Sequence, residues 1–111
     1  MDTEKLMHDQ IIDRIRARYA REYKDIKVNA EGDPDIILAS HGLTIAMVEV
    51  ETENSVTAEK AKKWKALTES GSKLIVMVPQ SARVRTTDLL WQQGIADKVR
   101  VGSYEIKITM P

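Results

Sequence analysis

One segment of the chain is apolar at nearly every position, and it restricts the possible fold more than any other feature. Residues 73–78 read KLIVMV and lie between Gly71 and Pro79, two residues that interrupt regular structure. A strand with one face in water alternates apolar and polar residues, whereas a continuous apolar run is typical of a central strand covered on both faces. The sequence therefore predicts an α/β fold with this strand near the middle of its sheet.

The segments around this strand indicate the order of the other elements. Apolar residues at three- and four-residue spacing predict a first helix over about residues 2–23. The other predicted elements are strands at 26–28, 35–40 and 44–51, a helix at 57–70, a helix at 82–93, and short strands at 99–101 and 104–109. A helix between a hairpin and the central strand indicates a mixed sheet with a crossover. We expect one domain over residues 1–111, in the order αβββαβ and then αββ.

Glycine and proline mark the predicted turns. Residues 31–34 (EGDP) predict a turn before the second strand, and His41-Gly42 predicts a tight hairpin between the second and third strands. Gly102-Ser103 predicts a turn between the last two strands. Gly71 and Gly94 are expected to end the second and third helices.

The composition excludes several kinds of site. The 111 residues include no cysteine, which rules out a disulfide framework, a thiolate zinc site and a cysteine nucleophile. Seventeen basic residues balance seventeen acidic ones, so nucleic-acid binding would depend on local patches. The apolar runs are far shorter than the roughly 20 residues of a membrane span, and the first residues lack a secretory-signal pattern. We expect a cytoplasmic protein that does not associate with membranes.

Acidic residues interrupt the apolar strands at three positions. Glu49 and Glu51 alternate with valines in the third strand, so both carboxylates lie on one sheet face, with Cβ atoms roughly 7 Å apart. Asp35 begins the preceding strand. If the two strands form a hairpin about His41-Gly42, Asp35 comes close to Glu49 and Glu51.

Three carboxylates at one end of a sheet repel one another, so either their pKa values rise or a cation is bound. Oxygen ligands at this spacing suit Mg²⁺ or Mn²⁺. A bound metal could activate water and hold a phosphodiester oxygen. The alternative is that Glu49 and Glu51 simply form the solvent face of an edge strand.

Pro34-Asp35, followed fourteen positions later by Glu49-Val50-Glu51, resembles the motif of the PD-(D/E)XK nuclease superfamily. The predicted order of elements over about residues 2–78 also resembles the core of that superfamily. The resemblance implies a restriction-endonuclease-like αβββαβ core with a central mixed sheet flanked by helices. It is closest to small Holliday-junction resolvases and other minimal nuclease domains.

Carried over to this sequence, the resemblance implies that Asp35 and Glu49 bind the metal. Glu51 stands where the superfamily has its catalytic lysine, which is a departure. Some restriction enzymes with this fold carry Glu there and still cleave DNA, and others place the lysine on the following helix. Lys60, Lys62 or Lys63 could then supply it, and the sequence does not distinguish among them.

Many members of the superfamily add a glutamate from the first helix. Glu4 and His8 share a stripe with the apolar residues of the predicted first helix, so Glu4 is a candidate third metal ligand and His8 a weaker one. The alternative is that they form the solvated end of the helix. Basic residues on the first helix (Arg14, Arg18, Arg21) and on the second (Lys60, Lys62, Lys63, Lys65) could contact a phosphate backbone or could simply be solvated.

Four further side chains have predicted structural roles. Trp64 and Trp91 fall on apolar helical stripes and are expected in the core rather than stacked on bases. Ser55 or Thr57 is expected to cap the second helix.

No G-x-S-x-G, P-loop or G-x-G-x-x-G motif is present.

The leading hypothesis is a Mg²⁺- or Mn²⁺-dependent nuclease that acts on DNA. A homodimer is expected, because so small a nuclease fold often needs a second copy to reach both strands. Its expected site residues are Asp35, Glu49 and Glu51, with Lys60 or Lys62 at the phosphate and Glu4 as a further ligand. The second hypothesis is a catalytically inactive nuclease-fold module that binds nucleic acid or a protein partner. The third is an interaction subunit without metal or DNA binding.

Overall fold

The computed structural model describes residues 3–29 and 32–105. Its elements are, in chain order, α1 (Thr3–Tyr19), β1 (Asp25–Val28), β2 (Ile36–Ser40), β3 (Leu43–Val50), α2 (Ala58–Thr68), β4 (Lys73–Pro79), α3 (Arg83–Gln92) and β5 (Val99–Tyr104). A short 3-10 turn, Gln80–Ala82, leads into α3. The predicted order αβββαβ is confirmed for the elements from α1 to β4.

The five strands form one mixed sheet in the order β1-β2-β3-β4-β5. β1, β2 and β3 pair antiparallel, whereas β3, β4 and β5 pair parallel. The prediction of a mixed α/β sheet with a crossover between β3 and β4 is therefore confirmed. Among residues 3–29 and 32–105, no helix is long and apolar enough to cross a membrane.

The two faces of the sheet carry two separate apolar cores. α1 covers one face, where Ile12 and Ile15 pack on alternate residues of β2 and β3. α2 and α3 cover the other face, where Trp64 is fully buried. Alternate residues of β4 belong to the two cores, which explains why the KLIVMV run is apolar throughout.

The β2–β3 hairpin turns where the glycine pattern predicts it. His41 and Gly42 have φ angles of 55° and 79°. Two consecutive residues with positive φ are typical of the hairpin turns whose twist matches the flanking strands. The role of His41 as a turn residue is therefore confirmed.

Helix α1 is shorter than predicted. It ends at Tyr19 rather than Tyr23, and the chain turns back so that β1 can pair with β2. Tyr23 still contacts Tyr19, with ring centroids 5.6 Å apart in an edge-to-face arrangement. The periodic spacing therefore predicted the helix but not the residue at which it ends.

The predicted turn at Gly102-Ser103 is wrong, because both residues lie within β5. Gly102 pairs with Met77 of β4, and a Cβ atom at this position would overlap the Met77 sulfur. The glycine thus makes room for the Met77 side chain against the β5 backbone rather than reversing the chain. The rest of the strand predicted at 104–109 lies largely outside the described residues.

Trp91 is not in the core as predicted. Its side chain is 71% exposed on α3, whereas its neighbours Leu89 and Leu90 point inward. A step of one residue along a helix turns the side chain by about 100°, so a short helix buries only one narrow stripe. The corresponding prediction for Trp64 is confirmed.

Candidate active site

The antiparallel pairing of β2 and β3 places Asp35 beside Glu49. Ile36 pairs with Val48, so Asp35, which immediately precedes β2, lies where β3 ends. The Asp35 N–H donates a hydrogen bond to Glu49 Oε1 at 2.9 Å, and the Val50 N–H donates one to Asp35 Oδ2 at 2.8 Å. The predicted proximity of these two carboxylates is therefore confirmed.

Helix α1 reaches this pair through His8. Nε2 of His8 lies 3.2 Å from Asp35 Oδ1, and its Nδ1 lies 3.3 Å from Asp9 Oδ1. The hydrogen bond to Asp35, opposed by partial burial, raises the pKa of His8 above its ordinary value. His8, the weaker candidate of the two on the first helix, is thus the one that contacts the cluster.

Glu49 is completely buried at the centre of the site. One oxygen accepts the Asp35 N–H, whereas Oε2 is the only buried side-chain oxygen or nitrogen among the described residues without a hydrogen-bond partner. Burial, reinforced by the charges of Asp35, Asp33 and Glu51, raises the pKa of Glu49 to about 9. A buried carboxylate oxygen without a hydrogen bond, such as Oε2 of Glu49, costs free energy unless a group of opposite charge lies beside it.

Glu51 follows β3 and is 1% exposed. Its Oε2 accepts a hydrogen bond from Trp64 Nε1 at 2.7 Å, and its Oε1 accepts one from Ser55 Oγ at 3.0 Å. Burial raises the pKa of Glu51, although the ammonium of Lys60 and these two hydrogen bonds lower it. Because Glu49 and Glu51 are both buried, the alternative of a solvent-facing edge strand is wrong.

Lys60 is the lysine of α2 that reaches the carboxylates. Its Nζ lies 3.7 Å from Glu51 Oε1, 3.8 Å from Asp33 Oδ1 and 3.9 Å from Glu49 Oε2. Although partial burial favours the neutral amine, these carboxylates raise the pKa of Lys60 above its ordinary value. Lys62 is exposed and, two residues further along α2, lies about 200° around the helix.

The start of α2 brings Lys60 to this position. Thr57 is the N-cap residue, and its hydroxyl accepts a hydrogen bond from the Lys60 N–H at 3.2 Å, as one of the two predicted caps. Ser55, the other predicted cap, instead accepts from the Thr52 N–H at 2.7 Å and donates to Glu51. The loop between β3 and α2 is therefore tied both to the helix and to the acidic cluster.

Glu4 contacts the loop rather than the carboxylate pair. Its Oε2 accepts a hydrogen bond from Asn54 Nδ2 at 2.7 Å, and its pKa is lowered by hydrogen bonds from Thr52 and Asn54. Glu4 nevertheless lines the same open cleft of about 450 Å³ as His8, Glu51 and Lys60. Its proposed role as a metal ligand stays a prediction.

The carboxylate oxygens of this site are suitable ligands for a divalent metal, but they are not already arranged as a complete set of ligands. Within residues 3–29 and 32–105, no group of three or more His, Asp or Glu side chains is arranged to hold a metal ion. The buried, unpartnered Oε2 of Glu49 beside Asp35 is the observation that favours a cation, since hard carboxylate oxygens are the ligands of Mg²⁺ and Mn²⁺. The Lys60 ammonium lies 3.9 Å from this oxygen.

Sequence reasoning missed two members of the site. The pattern of residues 31–34 predicts only a turn at Asp33, yet the Asp33 carboxylate lies 3.8 Å from Lys60 Nζ; its position next to the Pro34-Asp35 pair is the available signal. The apolar stripe predicts only a core position for Trp64, yet its indole N–H donates a hydrogen bond to Glu51. Its spacing of four residues from Lys60 could have indicated that the two side chains share a face of α2.

No protein-family profile, curated protein or solved structure matches this chain.

Proposed function

We propose that this protein is a metal-dependent nuclease that hydrolyses phosphodiester bonds in DNA, on a restriction-endonuclease-like core. The observation that carries the proposal is the meeting of Asp35, Glu49 and Lys60 from three separate elements at one end of the sheet. The order αβββαβ and the Pro34-Asp35…Glu49-Val50-Glu51 pattern support it.

In this proposal, Asp35 and Glu49 hold Mg²⁺ or Mn²⁺, and Glu4 is a further candidate ligand. The metal, when bound, supplies Lewis-acid activation of a water and of a phosphoryl oxygen. The backbone hydrogen bonds between the β2 and β3 ends keep the Asp35 and Glu49 carboxylates oriented before substrate arrives. Lys60, which lines the cleft, stabilises the charge that develops on the phosphate.

The substrate is proposed to lie along α2. Lys62, Lys63 and Lys65 are exposed on this helix, which also carries Lys60. Because the chain has no net charge, this local patch would supply the attraction to a phosphate backbone, and binding should weaken as salt rises. A homodimer, with one site for each strand, is part of the proposal for duplex substrates.

The experiment that tests the proposal is a cleavage assay on single-stranded, duplex, flap and four-way-junction DNA with Mg²⁺ or Mn²⁺. Glu49→Gln preserves the side-chain volume and removes the ability to ionise, and Glu59→Gln changes an exposed glutamate of α2 as the matched control. We expect cleavage by the wild type and Glu59→Gln, and none in EDTA. Cleavage that survives Glu49→Gln would sink the proposal.

A second candidate is a nuclease-fold module that binds nucleic acid or a protein partner without catalysis. Two observations favour it: Glu51 replaces the motif lysine, and the described residues contain no preformed three-residue metal group. It predicts salt-sensitive DNA binding with no cleavage under any divalent metal. Metal-dependent cleavage that is abolished by Glu49→Gln would exclude it.

A further inference from the structure

Hydrogen bonds hold both the backbone and the carboxylate of Glu51. Its backbone N–H donates to the Met77 carbonyl oxygen at 2.8 Å, and its carbonyl oxygen accepts from the Tyr104 hydroxyl at 2.6 Å. Its two carboxylate oxygens accept from Trp64 and Ser55. Glu51 therefore connects the end of β3 with β4, β5 and α2, and its position is set by the fold.

Two successive turns of α2 meet the same carboxylate. Lys60 and Trp64 are four residues apart, so their side chains share one face of the helix. The Trp64 indole binds Oε2 of Glu51 at 2.7 Å, and the Lys60 ammonium faces Oε1 at 3.7 Å. The direction in which α2 presents Lys60 is thus coupled to Glu51 through Trp64.

The Lys60 ammonium is shared among three carboxylates. Its distances to Glu51, Asp33 and Glu49 span only 3.7–3.9 Å, and all three exceed hydrogen-bond length. None of the three carboxylates therefore forms a hydrogen bond with the Lys60 ammonium. If Glu51 lost its charge, the Lys60 ammonium could come within hydrogen-bond distance of Oε2 of Glu49, which has no hydrogen-bond partner.

We propose that Glu51 is a positioning residue, which holds the Lys60 ammonium at the centre of the acidic cluster and just beyond hydrogen-bond reach of Glu49, and that it does not bind the metal itself. The part that concerns metal rests on the proposed function. The residue at the motif-lysine position would then act through the lysine that the following helix supplies. Glu49, with an oxygen that has no hydrogen-bond donor, stays available to a cation, whereas both oxygens of Glu51 are already hydrogen-bonded.

The first test is a double-mutant cycle on Mn²⁺ affinity, measured by titration calorimetry on wild type, Glu51→Gln, Lys60→Met and the double variant. Glu51→Gln should weaken Mn²⁺ binding about 10-fold, because the Lys60 ammonium then pairs with the Glu49 carboxylate and competes with the metal for it. In the Lys60→Met background, the same change should have little effect. An equal loss in both backgrounds would mean that Glu51 is a direct ligand, and would overturn the proposal.

The second test needs neither metal nor cleavage. Crystal structures of the metal-free wild type and Glu51→Gln should differ in the separation of Lys60 Nζ from Glu49 Oε2, which is 3.9 Å in the wild type. We expect it to shorten to about 3 Å in the variant, while Trp64 remains hydrogen-bonded to the Gln carboxamide oxygen. An unmoved Lys60 would overturn the proposal. If no variant bound Mn²⁺ or Mg²⁺, the proposed function would fail, and this comparison would still decide the role of Glu51.

Discussion

The Asp35 backbone N–H donates a hydrogen bond to the Glu49 carboxylate at 2.9 Å. This bond joins the start of β2 to the end of β3, its antiparallel neighbour. The reciprocal bond runs from Val50 N–H to the Asp35 carboxylate at 2.8 Å. The positions of both acids therefore depend on strand register. A slip of one residue would turn Glu49 to the opposite face of the sheet.

Lys60 and Lys62 should differ in their effect on cleavage. Lys60→Met removes the ammonium at the carboxylate cluster, and we expect the rate to fall about 100-fold, the loss seen when one charge-stabilising donor is removed from an active site. Lys62→Met, on the exposed side of α2, should alter DNA affinity and its salt dependence more than the rate. Single-turnover assays separate the two effects, and equal rate losses would contradict the assignment of Lys60.

The stability of the metal-free protein should depend on pH through Glu49. The pKa of Glu49 is about 9 when folded, against its ordinary value of 4.5. Because the folded value is the higher one, the stability contributed by the neutral group is fully present below about pH 4.5 and is lost as the pH rises through 9. Urea unfolding in EDTA should therefore give a free energy of unfolding that falls across this window.

Glu49→Gln is the control for this pH dependence, because glutamine stays neutral throughout. The raised pKa of His8 contributes in the same direction, so the difference between wild type and variant isolates Glu49. We expect that difference to change with pH between about 5 and 9 and the variant to have the flatter profile. A constant difference across this range would contradict the assignment.

The same substitution should cost much more stability at Trp64 than at Trp91. Trp64→Phe removes the indole donor from buried Glu51, and we expect a loss of about 1–3 kcal/mol in the free energy of unfolding. Trp91→Phe changes a side chain that is 71% exposed, and should stay within about 0.5 kcal/mol of the wild type. Urea denaturation followed by circular dichroism measures both; similar losses would be inconsistent with the two environments.

Gly102 should tolerate no larger side chain without adjustment of Met77. Gly102→Ala places a methyl group against the Met77 thioether, and we expect a loss of about 1 kcal/mol, at the lower end for overpacking because methionine is flexible. Met77→Ala in the same background should reduce this cost, and a double-mutant cycle of unfolding free energies measures the coupling. Additive effects would show that the two positions do not interact.

Much of the fold followed from local patterns. The apolar run of β4, the alternation in β3 and the turn at His41-Gly42 were each sufficient to predict their element. The ends of the elements were less predictable. Helix α1 ends at Tyr19 because the chain must turn back for β1 to pair with β2. The turn predicted at Gly102 is wrong because a glycine needed for close packing and one needed for a turn look alike in sequence.

The sequence by itself determined that Asp35 and Glu49 would meet, because hairpin register and two-residue alternation are properties of the local chain. Only the tertiary structure decided which side chains complete the site: Lys60 rather than Lys62, and His8 rather than Glu4 at Asp35. Periodicity predicts which residues share a helix face, but not where that face lies across the sheet. That placement follows from the packing of each helix against its own core, and for α2 it is set by buried Trp64 and its bond to Glu51.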